Sequence, residues 1–241
     1  MTTINKEEIQ KFSKLADEWW DMNGKFKPLH MFNPIRIKYI LDECTRYLKI
    51  KNNNRDLLKG FKILDIGCGG GLVSEPMSRL GAEVTGIDAS LKNIKIAETH
   101  AKKSDLKIKY LNKSPEEMDQ NNKFDIILNL EVVEHVEDLD LYLKSCSELL
   151  KKNGIMFTAT LNRTFTSYIK AIVGAEYVLR WLPIGTHDWN KFLKPEELEN
   201  KLNRYNFSIK DTKGLSFNPI TQKWTKTNNL SVNYIILAIK N

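Results

Sequence analysis

The sequence predicts one doubly wound α/β domain built on a mostly parallel sheet, and three observations support this. Short apolar runs alternate with helical patterns from residue 62 onward, as in successive βαβ units. A glycine-rich turn follows the first of these runs, and an acidic residue follows the second. The chain has 241 residues, which is enough for one sizeable core, so we expect residues 1–241 to form a single domain.

Residues 1–58 are predicted to form a helical extension ahead of the sheet. Within residues 1–22, apolar side chains recur at the spacing of an amphipathic helix. Asn33-Pro34 is a typical helix start, because asparagine caps a helix and proline fits its first turn. Arg36 would lie early on this second helix, where it either reaches a cofactor carboxylate or remains a solvated surface arginine.

The unit at residues 62–88 carries the main functional signal. Residues 63–66 predict a buried strand, Gly81 ends a helix that follows the glycine turn, and Asp88 ends a second strand. Glycines let the backbone approach a ligand closely, and the start of a helix presents free N–H groups. An acidic side chain at the next strand end can accept hydrogen bonds from both hydroxyls of a ribose.

The glycine turn has the pattern D-x-G-x-G-x-G, which begins at Asp65 and includes Gly67 and Gly69. A dinucleotide-binding fingerprint would require a further glycine at the position of Leu72. Together with Asp88, the turn predicts a site for a nucleotide-like cofactor. The alternative is a tight turn with a purely structural role.

The remaining strands are predicted from further apolar runs at residues 108–111, 123–130, 155–160, 207–209 and 232–239. Residues 162–190 interrupt the alternation with an apolar stripe from Phe165 to Trp181. We expect this insertion to be helical. It is either a lid that buries its stripe on the core or an amphipathic helix that docks on a membrane surface.

Candidate catalytic residues follow Leu130, at the end of the fourth predicted strand, where open α/β sheets bind their ligands. His135 lies one turn beyond that strand end and is the best-placed general base. His187 and His30 are second-line candidates, and for each histidine the alternative is a hydrogen-bonded structural role. Glu131 lies directly at the strand end.

Composition argues against several classes of protein. The formal net charge is +7, yet the sequence has no block of like charges and no basic patch interleaved with aromatic residues, so no nucleic-acid partner is predicted. The three cysteines are far apart and lack C-x-x-C spacing, which favours a reducing compartment. No signal-peptide core and no membrane-spanning run are present in the sequence, so a cytoplasmic location is expected.

Several blocks together give a resemblance to a known family. The glycine turn resembles the first motif of class I S-adenosylmethionine (SAM) methyltransferases. The chain as a whole resembles the UbiG-type O-methyltransferases of ubiquinone biosynthesis. The matching blocks are WWD at Trp19–Asp21, FKPLH at Phe26–His30, NPIR at Asn33–Arg36, LDIGCGGG at Leu64–Gly71, EVVEHV at Glu131–Val136, LNR at Leu161–Arg163, VGAEYVLR at Val173–Arg180, GTHDW at Gly185–Trp189, FNPI at Phe217–Ile220 and VNY at Val232–Tyr234.

The resemblance implies a class I methyltransferase sheet of seven strands, with the last strand antiparallel. It implies a SAM-dependent enzyme that methylates phenolic hydroxyls of a polyprenylated catechol and of demethylubiquinol, the two O-methylations of the pathway. The implied partners are the polyprenylated substrate, the membrane surface and a complex of ubiquinone-biosynthesis proteins. The SAM contacts would come from the motif positions of Arg36, Asp65, Gly67, Gly69, Asp88 and Leu130.

The resemblance also implies a site for a divalent metal, Mg²⁺ or Zn²⁺, on Glu131, Glu134 and His135. If the chain turns helical after Leu130, spacings of three and four residues put these side chains on one face. Glu131 and His135 are then the expected catalytic residues. The alternatives from other classes are a non-catalytic SAM-binding or lipid-carrier protein, and a methyltransferase acting on another small phenolic compound or on RNA.

Overall fold

A computed structural model describes residues 2–50, 56–169, 188–218, 221 and 223–241. The strands among them are β1 (Lys62–Ile66), β2 (Glu83–Ile87), β3 (Lys109–Leu111), β4 (Phe124–Leu130), β5 (Leu150–Leu161), β6 (Phe207–Asn218), β7 (Lys223–Thr227) and β8 (Asn233–Lys240). The helices are α1 (Lys6–Leu15), α2 (Lys27–Tyr47), α3 (Ser74–Arg79), α4 (Leu91–Lys103), α5 (Leu139–Leu149), α6 (Phe165–Ser167) and α7 (Pro195–Arg204).

The strands form one sheet in the order β3-β2-β1-β4-β5-β8-β6-β7. Strands β1 to β5 pair in parallel, and β8 lies antiparallel between β5 and β6. This confirms the predicted mostly parallel sheet with an antiparallel last strand. The described sheet has one strand more than predicted, because β7 forms a hairpin with β6 at the edge. Its sequence, KWTKT, has no apolar run to signal a strand, as is common for exposed edge strands.

Helices cover both faces of the sheet, which is the usual arrangement around parallel strands. On one face, Tyr39 and Ile40 of α2 and Met77 of α3 pack against the strands. On the other face, Leu143 of α5 and Leu198 of α7 do the same. Because the faces are covered, the parallel strands are accessible mainly at their carboxyl ends, where the loops that follow β1, β2 and β4 lie.

The N-terminal extension differs from the prediction in where its helices begin and end. Helix α1 ends at Leu15, and a 3₁₀ turn continues to Glu18. Helix α2 begins at Lys27, so the predicted start at Asn33 is wrong. Pro28 supplies the first-turn proline, and Asn33 is buried within the helix with its Oδ1 accepting a hydrogen bond from Arg36 Nη2 at 2.6 Å. The asparagine side chain therefore fixes an arginine and does not cap a helix.

Of the insertion at residues 162–190, the structure describes residues 162–169 and 188–190. Phe165, Tyr168 and Ile169 are 75%, 43% and 45% exposed. The rest of the apolar stripe and His187 lie outside the described residues. Within the part of the chain that the structure describes, no helix has both the length and the apolar character needed to cross a bilayer.

Candidate active site

A cavity of about 730 Å³ opens at the carboxyl ends of β1, β2 and β4. The N-terminal extension covers it on one side and the β6–β7 hairpin borders it on another. The residues that follow the three strands all contribute to its wall: Gly67 after β1, Asp88 after β2, and Glu131 after β4. This is the edge where open α/β sheets bind ligands.

The glycine turn cannot carry side chains at two of its positions. Gly67 and Gly69 have φ angles of +66° and +54°, which L-residues rarely adopt. A Cβ atom on Gly67 would lie 2.6 Å from Val132 Cγ2, and one on Gly69 would lie 2.3 Å from the Trp19 ring. The turn is therefore held tightly between the loop after β4 and the N-terminal extension.

Asp88 organises the backbone beside this turn. Its Oδ2 accepts a hydrogen bond from the Gly69 N–H at 3.0 Å, and its Oδ1 accepts one from the Ser90 N–H at 2.7 Å. Burial raises the pKa of Asp88, and these backbone N–H groups act in the opposite direction. Asn93 Nδ2 donates a second hydrogen bond to Oδ1 at 3.3 Å, whereas Oδ2 has one lone pair left with which to accept a hydrogen bond from a ligand in the cavity.

Arg36 is buried, with 3% of its surface exposed, so the alternative of a solvated surface arginine is wrong. Its Nη1 lies 3.4 Å from Glu131 Oε1, and its Nε is buried without a hydrogen-bond partner. Burial lowers the pKa of Arg36, while Glu131, Asp65 and Glu134 oppose that shift. Arginine nevertheless stays charged in proteins, and its unsatisfied Nε is suited to an anionic group of a ligand.

Asp65 lies at the end of β1 between the arginine and the glycine turn. Ser74 Oγ donates a 2.6 Å hydrogen bond to its Oδ2. Burial raises the pKa of Asp65 to about 6, although Ser74 and the positive charge of Arg36 both stabilise the ionised form. Burial therefore destabilises the ionised form of this carboxyl group, and a cationic group of a ligand would stabilise it.

The chain after Leu130 is not helical, so the predicted common helix face for Glu131, Glu134 and His135 is wrong. Glu131 has a φ of +58°, in the left-handed region, and its N–H continues the sheet by donating to Ala159 C=O at 2.9 Å. The three side chains take different partners: Glu131 pairs with Arg36, and His135 bonds elsewhere. Across the described residues, no three histidine, cysteine, aspartate or glutamate side chains are grouped closely enough to hold a metal ion.

Glu134 is the least satisfied of the three. It is 3% exposed, and neither carboxyl oxygen has a hydrogen-bond partner in this arrangement. Burial, followed by the nearby charge of Glu131, raises the pKa of Glu134 well above its ordinary value. Two neighbouring carboxyl groups are therefore present at this end of β4.

His135 has a partner that sequence reasoning did not identify. Its Nδ1 lies 2.9 Å from Oε2 of Glu8 on α1, and Phe12 packs against the imidazole edge-on at 5.2 Å between ring centroids. Glu8 is 8% exposed, and the hydrogen bond to His135 is the main reason that its pKa falls to about 2. A carboxylate can only accept hydrogen bonds, so Nδ1 carries the proton and the neutral ring has its lone pair on Nε2.

The WWD block (Trp19–Asp21) and the FKPLH block (Phe26–His30) cover one side of the cavity. Trp19 stacks on Phe26 at 3.8 Å and donates a hydrogen bond from its indole N–H to Asn93 at 3.0 Å. The indole N–H of Trp20 bonds to Gly70 C=O at 3.0 Å. His30 Nε2 lies 2.9 Å from the carbonyl oxygen of Trp19, so His30 has a structural role here and does not line the cavity.

The strand order, with a glycine turn after β1 and an acidic residue after β2, defines a class I SAM-dependent methyltransferase. A family profile described as a methyltransferase domain matches residues 32–211. The chain is 60% identical over 241 residues to the ubiquinone biosynthesis O-methyltransferase of Pelagibacter ubique, covering 100% of both chains. It is 50% identical to the protein of the same name from Chelativorans sp., covering 99% of this chain and 95% of that one. The chain therefore belongs to the ubiquinone biosynthesis O-methyltransferase family.

Solved structures agree on the fold. Magnesium protoporphyrin IX methyltransferase from Synechocystis, with bound SAM, matches with a TM-score of 0.63 at 16% identity over 100% of both chains. The PH0226 protein from Pyrococcus horikoshii matches with a TM-score of 0.64 at 15% identity, covering 95% of this chain and 98% of that one. At this level of identity the likeness concerns the fold alone.

Proposed function

We propose that this protein transfers a methyl group from SAM to phenolic hydroxyls of a polyprenylated ring, at both O-methylation steps of ubiquinone biosynthesis. The observation that carries the proposal is a single cavity with two chemically distinct sides. One side has the glycine turn and Asp88, and the other has Glu131 and His135. The names of the relatives support the choice of pathway and substrate.

The first side has groups that complement SAM. Asp88 would accept hydrogen bonds from the ribose hydroxyls, and Gly67 and Gly69 allow close approach of the cofactor to the backbone. Arg36 would bind the methionyl carboxylate through its unsatisfied Nε. Asp65, whose ionised form is destabilised by burial, would bind the cationic amino group. Leu130, at the end of β4, would pack against the cofactor.

On the second side, His135 would act as the general base. A phenol has a pKa near ~10, as for tyrosine, and is a poor nucleophile until its proton is removed. Nε2 of His135 would take the phenolic proton while the oxygen forms a bond to the methyl carbon and the S–C bond breaks. S-adenosylhomocysteine leaves as the neutral sulfide. The rest of the rate enhancement would come from holding oxygen, carbon and sulfur in line.

We also propose that the carboxyl groups of Glu131 and Glu134 would hold a divalent ion, either Mg²⁺ or Zn²⁺. Oxygen ligands of this kind suit hard cations, and a cation would satisfy the buried oxygens of Glu134 that have no partner. A bound ion lowers the pKa of a coordinated phenol. His135 fits as a third ligand only through Nε2, because Nδ1 is bonded to Glu8. Nε2 has one lone pair, so His135 would act either as the base or as a metal ligand, and with His135 as the base the ion would be held by the two carboxylates.

The metal has a test that does not depend on turnover. Calorimetric titration of metal-free protein with Mn²⁺ should give one site, and Glu134→Gln should weaken it at least about tenfold. Wild-type affinity in the Glu134→Gln protein would contradict this assignment. Full methyl transfer by chelated protein would leave His135 as a base that acts without a metal.

Methyl transfer itself is tested with purified protein, radiolabelled SAM and three acceptors: a prenylated catechol, an unprenylated phenol and bulk RNA. Label should move to the catechol and not to RNA. His135→Ala should bind SAM with an affinity close to that of the wild type and transfer methyl groups at least about a hundredfold more slowly. Tight SAM binding with no transfer to any acceptor would favour a non-catalytic SAM-binding protein.

We propose, finally, that the start of the insertion contacts the membrane, since a polyprenylated substrate partitions into the bilayer. The exposure of Phe165, Tyr168 and Ile169 supports this. Flotation with anionic liposomes should recover the wild-type protein, and Phe165→Glu/Ile169→Glu should remain in the dense fraction. Equal recovery of both would mean that these side chains do not mediate the contact.

A further inference from the structure

One end of the cavity has no role in the chemistry described above. Phe32, Trp224 and Phe217 line it as neighbouring aromatic rings, and Leu215 of β6 also lines the cavity. None of these side chains is charged. SAM has no long aliphatic chain that would fill such a surface.

This end is connected to the reaction centre by a row of touching groups. The Arg36 guanidinium, which pairs with Glu131, lies 4.9 Å from the centroid of the Phe32 ring. Phe32 lies 4.6 Å from Trp224, and Trp224 lies 5.3 Å from Phe217, measured between ring centroids. The row therefore leads from the carboxylates at the end of β4 to the edge hairpin.

The position of Trp224 is unusual for packing alone. It is the only large apolar residue on β7, an edge strand whose other residues are lysines and threonines. Side chains alternate along a strand, so Trp224 and Lys226 point to the same face. Lys226 lies over Tyr39 of α2, as Trp224 lies against Phe32 of the same helix. Strand β7 thus places one aromatic ring over the cavity, and its other residues are polar.

We propose that Phe32, Trp224 and Phe217 form a subsite for the isoprenoid tail of the substrate. This inference rests on the proposed function, because it assumes that the reacting ring lies beside Glu131. The tail is attached to that ring and must leave the reaction centre in some direction. Arg36, Asp65 and the cofactor occupy the polar side, whereas the aromatic row offers a continuous apolar surface. Burial of the CH₂ groups of the tail on this surface would stabilise the bound substrate.

The test compares two acceptors, a catechol with a short isoprenoid tail and the same catechol without it. Trp224→Ala should lower the ratio of kcat/KM for the tailed acceptor to kcat/KM for the tail-less one about tenfold, because apolar burial of about 1.4 kcal/mol is lost. The loss should fall on KM. Trp224→Phe should restore most of the ratio. Thr225→Ala is the matched control, since Thr225 points to the opposite face of the same strand.

A loss that is equal for both acceptors would show that Trp224 only packs the hairpin, and would overturn the subsite. A tailed acceptor with a photoreactive group on its tail provides a second measurement on the wild-type protein. Labelling should map to residues 207–227 or to the peptide that carries Phe32, and labelling confined to other peptides would also overturn the proposal. If the wild type methylates neither acceptor, the proposed function has failed. If it methylates both equally well, only the subsite has failed.

Discussion

Replacing Glu8 tests whether the N-terminal helix orients the proposed catalytic base. Glu8→Ala removes the acceptor for His135 Nδ1–H. Glu8 then no longer fixes the orientation or the tautomer of the imidazole. Glu8 is 8% exposed, so solvent screens this contact little. The ion pair that Glu8 makes with the half-exposed Lys11 is lost as well, but such pairs contribute only about 0.3–0.5 kcal/mol.

The hydrogen bond involves a charged acceptor and is therefore expected to be worth roughly 1.5–3 kcal/mol. One factor of ten corresponds to about 1.4 kcal/mol, so kcat should fall roughly tenfold to a hundredfold, in line with the loss of partners that orient a functional histidine. Glu8→Gln should give an intermediate value, because its amide oxygen can still accept the Nδ1 proton but carries no charge.

The assay is steady-state methylation of a prenylated catechol with saturating SAM, together with calorimetric titration of SAM. Glu7→Ala is the control, since Glu7 lies on the same helical turn and is exposed. The Glu8 variants should lose kcat while retaining SAM affinity within a few-fold. A Glu8→Ala protein with the kcat of Glu7→Ala would refute the reasoning, and would mean that His135 is oriented by its own loop.

Three further outcomes are expected. Asp88→Ala should weaken SAM binding by roughly one to two orders of magnitude through loss of charge-assisted hydrogen bonds, and unchanged calorimetric affinity in a folded variant would contradict the assignment. Gly69→Ala should lower the unfolding temperature. The new methyl group would lie 2.3 Å from the Trp19 ring, and the backbone there has a φ of +54°. An unchanged unfolding temperature would show that Trp19 can move aside at little cost in stability. Burial raises the pKa of Asp65 from 3.8 to about 6, so the folded chain binds more protons than the unfolded one between these values, and this residue's contribution to stability falls as pH rises through that window. The free energy of unfolding of Asp65→Asn, measured by denaturation from pH 4 to pH 7, should lack this decrease, which amounts to at most about 3 kcal/mol in the wild type. The same decrease in both proteins would assign it to another group.

The parallel part of the fold was predictable because its signals are local. Buried parallel strands are continuous apolar runs, and β1 and β4 were both found from such runs. The glycine turn and Asp88 also follow from local rules. The turn requires left-handed backbone, which favours glycine, and Asp88 directly follows a strand whose end faces the ligand site. The edge strand β7 was missed, because its pairing with β6 comes from the backbone and leaves no apolar pattern in its side chains.

The partners of the proposed catalytic residues were not predictable, because they depend on contacts between distant parts of the chain. Glu8 and His135 are 127 positions apart. Glu8 is four residues from Ile4 and from Phe12, so helical spacing places it on the apolar face of α1, but that spacing does not identify its partner. Arg36 was uncertain for the same reason. Its burial depends on Glu131, 95 positions away, and on Asn33, which local rules assign to a helix cap.

The segment after Leu130 shows why correct spacing led to a wrong geometry. Residues three and four apart share a face only if the backbone is helical, and here the backbone N–H of Glu131 pairs with Ala159 on β5. Glu131 has a φ of +58°, outside the helical region, and its carboxylate lies 3.4 Å from Arg36. Glu134 is left buried beside it without a hydrogen bond, while His135 is bound to the N-terminal helix. The base and the carboxylates are thus oriented by different elements, so a change at α1 should affect proton removal while leaving the carboxylate pair in place.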